Sequence, residues 1–461
     1  MNPNLATKTI VLLLAIAIVL TASISSVGNS YAATLNNSSI NVSSAKLIWG
    51  KTYGGAADDR AFFALPVGSG YLVVGSTKSI VPNSTVGWVL RIDKDGNEIW
   101  NKTFLEGPGT EIRFANNLTD GFLLVGNEFT PSGDVHGYVA KVDNQGTLMW
   151  NTTIEGDKTN KLFSAIADKD GFVLLGATYS NGMASSEASI IKLDLNGNTV
   201  WGKTFGKAQD TVTRAGVLSP DNNYIVTGYT NSLGVNNYTF LLMKIDVSGN
   251  LLWNKTYGET GSEEAHSITT APDGYVIVGD TQSAGTDIHA WVVKVDLNGN
   301  LMWEETVGGK KADSPAYVVS AKDGGYLVAG FTFSFGAGNR DFWLFKIDDS
   351  GKILWSCTQG DAGYQEAYSV IEAGENQYVM VGWTDPPGQP ALIGKAQYDF
   401  YIVKIEAPKA SSTFSNLLLI AFGVVVLAAL LLALRLHYKA GPRAKTEVAT
   451  ELRTTTRKSK S

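Results

Sequence analysis

Seven polar, mostly acidic side chains recur at intervals of roughly 50 residues: Asp59, Glu111, Asn160, Asp210, Glu264, Asp313 and Glu366. If the chain brings them together, the six carboxylates suit a hard cation such as calcium, or a polar ligand. The other reading is turn chemistry, in which each side chain accepts backbone N–H groups where a strand starts. Other reactive groups are sparse. His136, His266 and His289 stand alone in separate stretches, and His437 lies in a basic tail. There is no Gly-x-Ser-x-Gly elbow, no His-Glu-x-x-His and no phosphate loop. The neighbours Asp58/Asp59 and Glu263/Glu264 would point to opposite faces of a strand, which is the wrong geometry for a glycosidase pair. The lone Cys357 excludes an intrachain disulfide, a vicinal redox pair and a Cys-based zinc site, and it reads as a buried or partly buried free thiol rather than a nucleophile. No residue is assigned a catalytic role.

What must position these groups is a repeat. Trp49, Trp100, Trp150, Trp201, Trp253, Trp303 and Trp355 stand 50 to 52 residues apart, each followed three residues later by a threonine. A glycine follows each tryptophan by 26 or 27 residues, at Gly75, Gly126, Gly176, Gly228, Gly279, Gly330 and Gly382. Asp-x-x-Gly-x-x-x-Trp precedes six of the tryptophans, as at Asp246, Gly249 and Trp253. Each unit carries four short strand signals, in the first at Arg60–Val67, Tyr71–Thr77, Trp88–Asp93 and Glu98–Phe104. Stretches such as Asp93-Lys94-Asp95-Gly96-Asn97 supply tight hairpins, because glycine and asparagine tolerate positive φ.

Four strands repeated seven times predict an all-β, seven-bladed β-propeller of four-stranded blades over 45–406. A solenoid is the alternative. The last unit stops after Tyr401–Glu406 without its tryptophan strand, while a spare one, Lys46-Leu47-Ile48-Trp49, precedes the first complete unit. The N-terminal strand is therefore expected to complete blade seven and cancel an exposed edge. Each tryptophan ring is expected to pack on the neighbouring blade.

The run Lys244-Ile245-Asp246-Val247-Ser248-Gly249-Asn250-Leu251-Leu252-Trp253 resembles the tryptophan-docking motif of quinoprotein-type propellers. The fuller unit resembles repeats of bacterial and archaeal surface propeller proteins. The quinoprotein dehydrogenases of that resemblance imply eight blades, a vicinal disulfide and a calcium-bound acidic site. Seven units and one cysteine depart from that pattern and point to the noncatalytic relatives, which are scaffolding or binding proteins.

The ends place the body outside a membrane. Residues 1–32 read as an export signal: Lys8, an apolar run from Ile10 to Leu20, then Ser30-Tyr31-Ala32 as a small-x-small cleavage pattern. A Ser/Asn-rich leader (33–44) follows, and a linker (407–413) leads to an uncharged run of 21 residues, 414–434, long enough for a transmembrane helix. The tail (435–461) holds eight basic and two acidic residues, which places it in the cytoplasm. The formal net charge of −6 thereby hides an external body with 28 basic and 41 acidic residues, a balance that argues against nucleic acid. Export makes Asn36, Asn37, Asn41, Asn83, Asn117 and Asn237 candidates for glycosylation.

The sequence thus predicts a single-pass cell-surface protein whose propeller is a non-catalytic module, either binding or adhering to an extracellular protein or glycan or serving as an envelope scaffold. An extracellular quinone- or calcium-dependent oxidoreductase or a glycan-cleaving enzyme is the alternative. No cofactor is expected, calcium being the one candidate. Segments 78–87, 128–137, 179–188, 231–239, 282–290, 333–341 and 385–399 vary most between units, and such loops on a rigid scaffold are where binding resides.

Overall fold

The computed structural model describes residues 42–155, 159–179, 185–206, 210–231, 237–258, 261–282, 287–385 and 397–408. The export signal, residues 33–41 of the leader, Asn36, Asn37, Asn41, the 414–434 segment and the tail lie outside the described residues.

In blade one the four strands are Asp59–Val67, Gly70–Thr77, Val86–Ile92 and Glu98–Phe104, paired in that order and antiparallel. Five further blades repeat this order over 109–154, 159–205, 211–257, 263–307 and 313–359. Blade seven joins Gln365–Gly374, Gln377–Thr384 and Asp399–Glu406 to Lys46–Tyr53, which pairs antiparallel with Asp399–Glu406 as its outer strand. The spare N-terminal strand is the latch that the unit offsets predict.

No blade has an apolar core of its own. Each cluster of buried side chains is shared by two neighbours: Leu72, Val74 and Val89 of blade one pack with Phe122, Leu124 and Tyr138 of blade two. The cluster of Val73, Leu90, Val379 and Ile402 does the same for blades one and seven, with the Trp88 and Phe400 rings 4.5 Å apart. At about 25 cal/mol per Å² of buried apolar surface, the blades hold one another rather than themselves.

The repeat tryptophans bridge blades as expected. The Trp201 indole N–H donates to the Val247 carbonyl at 3.1 Å, and a Cβ on Gly249 would stand 2.9 Å from its ring. Gly249 takes φ +83° in a turn that Asp246 closes by accepting the Ser248 and Asn250 N–H groups at 2.9 and 2.8 Å. Position and chemistry agree here: only glycine combines that φ with a ring lying on its α-carbon.

One strand was not read from the sequence. Val42–Ser44, assigned to the leader, pairs parallel with Ser356–Thr358 and gives blade six a fifth strand. Four of the other six outer strands have lysine at the corresponding position, Lys51, Lys102, Lys203 and Lys255, and the remaining two have Thr152 and Glu305. Blade six has Cys357 there, paired with Ser43 of the added strand and completely buried in the apolar cluster that blades six and seven share. That burial pushes the thiol pKa up to about 12.

A second repeated feature lies on the outside. Each outer strand bulges just before its tryptophan, and the extra residue is a partly exposed apolar one: Ile48, Ile99, Met149, Val200, Leu252, Met302 and Leu354.

Two outcomes test this packing. Cys357 will resist an aromatic disulfide reagent in the native protein, and removal of residues 42–45 will make it react rapidly; equal reactivity in both proteins would place the strand elsewhere. The Asn250 side-chain amide, followed by the Asn250 backbone N–H, holds the Asp246 carboxyl below the usual carboxylate range. A depressed pKa stabilises the fold above the unfolded value of about 3.9 and is lost as pH falls through the folded value. Thermal melts across pH 2–6 should therefore show a smaller acid loss for Asp246→Asn than for the natural chain.

Candidate functional site

The inner strands line the central channel, and each carries a bulge. The extra residues are Phe62, Arg113, Phe163, Arg214, His266, Ala316 and Tyr368. A bulge turns its residue out of the regular alternation, so these side chains face the channel rather than the neighbouring blade. A cavity of about 280 Å³ occupies the channel among them.

The seven polar residues singled out by spacing do not form one ring. Asp59, Asn160 and Asp313 lie three residues before the bulge and are buried. Glu111, Glu264 and Glu366 lie two before it, and Asp210 lies four before it. Successive strand residues face opposite ways, so these are separate sets. The layer two residues before the bulge reads Arg60, Glu111, Lys161, Val212, Glu264, Ser314 and Glu366 around the channel. That mouth mixes cations with carboxylates.

Asp59, Asp313 and Asp210 perform turn chemistry, whereas the buried Asn160 Oδ1 accepts no hydrogen bond among the described residues. The Asp313 carboxylate accepts the Gly309 N–H at 2.6 Å, the Ser334 hydroxyl at 2.7 Å and the Ser334 N–H at 3.3 Å, together with the Thr332 hydroxyl. Asp59 accepts the Gly55 N–H and the Ser79 hydroxyl at 2.8 and 2.7 Å. Asp210 accepts the Ser186 N–H and hydroxyl at 2.8 and 2.9 Å.

The channel-side carboxylates instead hold arginines. Arg113 donates to Glu111 at 2.7 Å, and Arg340 donates to Glu366. Arg214 lies 3.9 Å from Glu264, a looser pair. Each guanidinium also lies on an aromatic face: Arg113 4.6 Å from the Phe62 centroid, Arg214 4.5 Å from Phe163 and Arg340 4.3 Å from Phe331. Such stacking fixes a guanidinium in place while its edge stays able to donate.

Arg113, Phe163 and Arg214 also wall a second cavity of about 430 Å³ among blades two, three and four. Lys161, Tyr179 and Tyr229 line it with Glu111. Asn127 clamps its floor, with its side-chain amide donating to Glu111 and accepting the Leu162 N–H at 2.8 Å.

The histidines are dispersed. His136 and His289 stand at the starts of third strands, Val135–Val142 and His289–Asp296. His266 sits on its bulge, with Nδ1 2.8 Å from the Pro315 carbonyl and Nε2 3.6 Å from Asp280. Burial pushes the Asp280 carboxyl above its usual range, with His266 opposing the shift. Among the described residues no three His, Cys, Asp or Glu groups converge as a metal site would need. Of the glycosylation candidates that are described, Asn83, Asn117 and Asn237 are exposed.

The segments between second and third strands open at the same mouth as the inner-strand starts, since antiparallel neighbours alternate direction. Parts of four of them, 180–184, 232–236, 283–286 and 386–396, lie outside the described residues.

No protein-family model matches the chain, and no curated protein sequence does. Among solved structures it is similar to the β-propeller domain of the Trilobed protease from Pyrococcus furiosus, at 9% identity and a TM-score of 0.47 over 77% of this chain and 98% of that one. It is also similar to Sqt1 from Chaetomium thermophilum, at 11% identity and a TM-score of 0.44 over 79% and 99% of the two chains. The propeller architecture of this chain rests on its own strand pairing.

Asp313→Ala is expected to act on stability. It strands buried donors that now share one carboxylate, at about 1–3 kcal/mol for an unsatisfied group. A lower melting temperature with unaltered ligand binding is the expected result, and lost binding at full stability would return Asp313 to the site.

Proposed function

We propose that this chain is a cell-surface, membrane-anchored propeller that binds an extracellular protein or glycan without catalysis. The observation that carries this reading is the coincidence of two features at one mouth. Phe129, Val135 and Tyr179, at the ends of variable inter-strand segments, line a cavity whose polar groups are fixed by blade-to-blade contacts. The apolar segment 414–434 and the basic tail supply the anchor and its orientation, and the export signal puts the propeller outside. The acidic external balance favours partners other than nucleic acid.

The enzymatic reading has one observation in its favour, the His266–Asp280 pair beside the channel. General acid–base work needs a group of that kind within reach of substrate. Within the channel His266 also contacts a backbone carbonyl, which suits a packed histidine equally well.

Glycan-array and pull-down binding by the full chain should yield a partner. Replacing segments 80–85, 130–134 and 335–339 with Gly/Ser sequences, which leaves Ser79, Ser334 and Arg340 in place, should abolish that binding while leaving the melting temperature within a few degrees. Unchanged binding by the replaced chain, or turnover of a captured glycan that is lost in His266→Ala, would overturn the reading.

A further inference from the structure

The cavity among blades two, three and four has a charge pattern more specific than a general binding face. Three cations border it, Arg113, Lys161 and Arg214, against a single lining carboxylate, Glu111. Glu111 is committed to Arg113 at 2.7 Å. Arg214 is held on the Phe163 ring, with only a 3.9 Å approach to Glu264, and its Nε is buried and donates to no group. Lys161 is exposed and makes no ion pair among the described residues. Two of the three cations therefore retain capacity for an anion. An unpaired buried donor is costly, and a bound acceptor would relieve that cost.

We propose that this cavity binds a carboxylate-bearing sugar, with Arg214 and Lys161 taking the carboxylate. The inference rests on the binding reading above and names its ligand class. A carboxylate matches a guanidinium edge and a neighbouring ammonium, both in a walled site where charge-assisted hydrogen bonds are strong. Glu111 decides what the rest of the ligand must be. As an acceptor beside the cations it repels a body that is anionic throughout, and it receives hydroxyl donors well. Tyr179 and Tyr229 add aromatic surface that suits the apolar face of a sugar ring. The volume of about 430 Å³ lies in the range of small-molecule sites.

Titration calorimetry on the full chain with galacturonate, which carries one carboxylate among neutral hydroxyls, tests this, with its methyl ester and neutral galactose as controls. The acid should bind, with the ester and the neutral sugar weaker by about tenfold or more, the loss of one charge-assisted contact. Lys161→Met, at an exposed position, should weaken the acid about tenfold and flatten its salt dependence without changing the melting temperature. Arg214→Met should do the same, and Arg214→Lys should recover part of the loss. Equal affinity for acid and ester, no binding of the acid, or full affinity in both methionine variants would each overturn the proposal. If the uronate fails while segment-dependent binding of another partner persists, this inference alone falls. If both fail, the binding reading falls with it.

Discussion

In every blade a backbone carbonyl of the inner strand presses into the space where a side chain on the second strand would begin. A Cβ on Gly126 would stand 1.8 Å from the Glu111 carbonyl oxygen, and one on Gly75 would stand 2.0 Å from that of Arg60. No other residue type fits. The approach belongs to the inner-strand bulge, which swings Arg113 or its counterpart into the channel. One repeated contact therefore sets both the shape of the blade and the direction of the side chains that line its mouth. The rest of the site inherits its geometry from a glycine.

Dependence on backbone geometry explains what was legible in the sequence. Tryptophan, glycine and the Asp-x-x-Gly turn recur because sterics and hydrogen bonding dictate them in each blade, and their spacing disclosed the blade count and the latch. The site residues were less legible. Every bulge residue falls thirteen positions after its tryptophan, from Phe62 after Trp49 to Tyr368 after Trp355. The polar residues chosen by chemistry fall nine, ten or eleven positions after it, as Asp210, Asp313 and Glu366 do. A drift of one position flips a strand residue to the other face, so one apparent ring became buried turn braces and channel-side ion pairs. The cations of the mouth went unread because each layer carries them in only two blades: Arg60 and Lys161 two residues before the bulge, Arg113 and Arg214 on it.

Blade six shows the same limit from another side. Its Cys357, a departure from lysine, was visible in the sequence and was read as a free thiol, which the structure has. The missing charge also left an edge unguarded, and Val42–Ser44 occupies it. Pairing a short segment with an edge more than 300 residues away cannot be inferred from composition, because nothing in Val-Ser-Ser marks it as a strand. The apolar bulge residues on the outer strands, from Ile48 to Leu354, form a further regularity that the channel does not require. Four of them stand beside a second exposed apolar residue, Leu47, Leu148, Leu251 and Leu301.

The latch has a temporal consequence. Lys46–Tyr53 leaves the ribosome long before its partner Asp399–Glu406, so the first repeat strand made is the last to find its place. Until then six blades can assemble by local hairpins, yet the seventh remains a three-stranded sheet with an open margin. At roughly 5–20 residues per second the intervening stretch takes on the order of half a minute to emerge, an interval in which the waiting strand is open to capture by another chain. Cells making this protein in quantity have reason to shield that strand, and exchange of the first strand between two copies is the misassembly to which the architecture is most exposed.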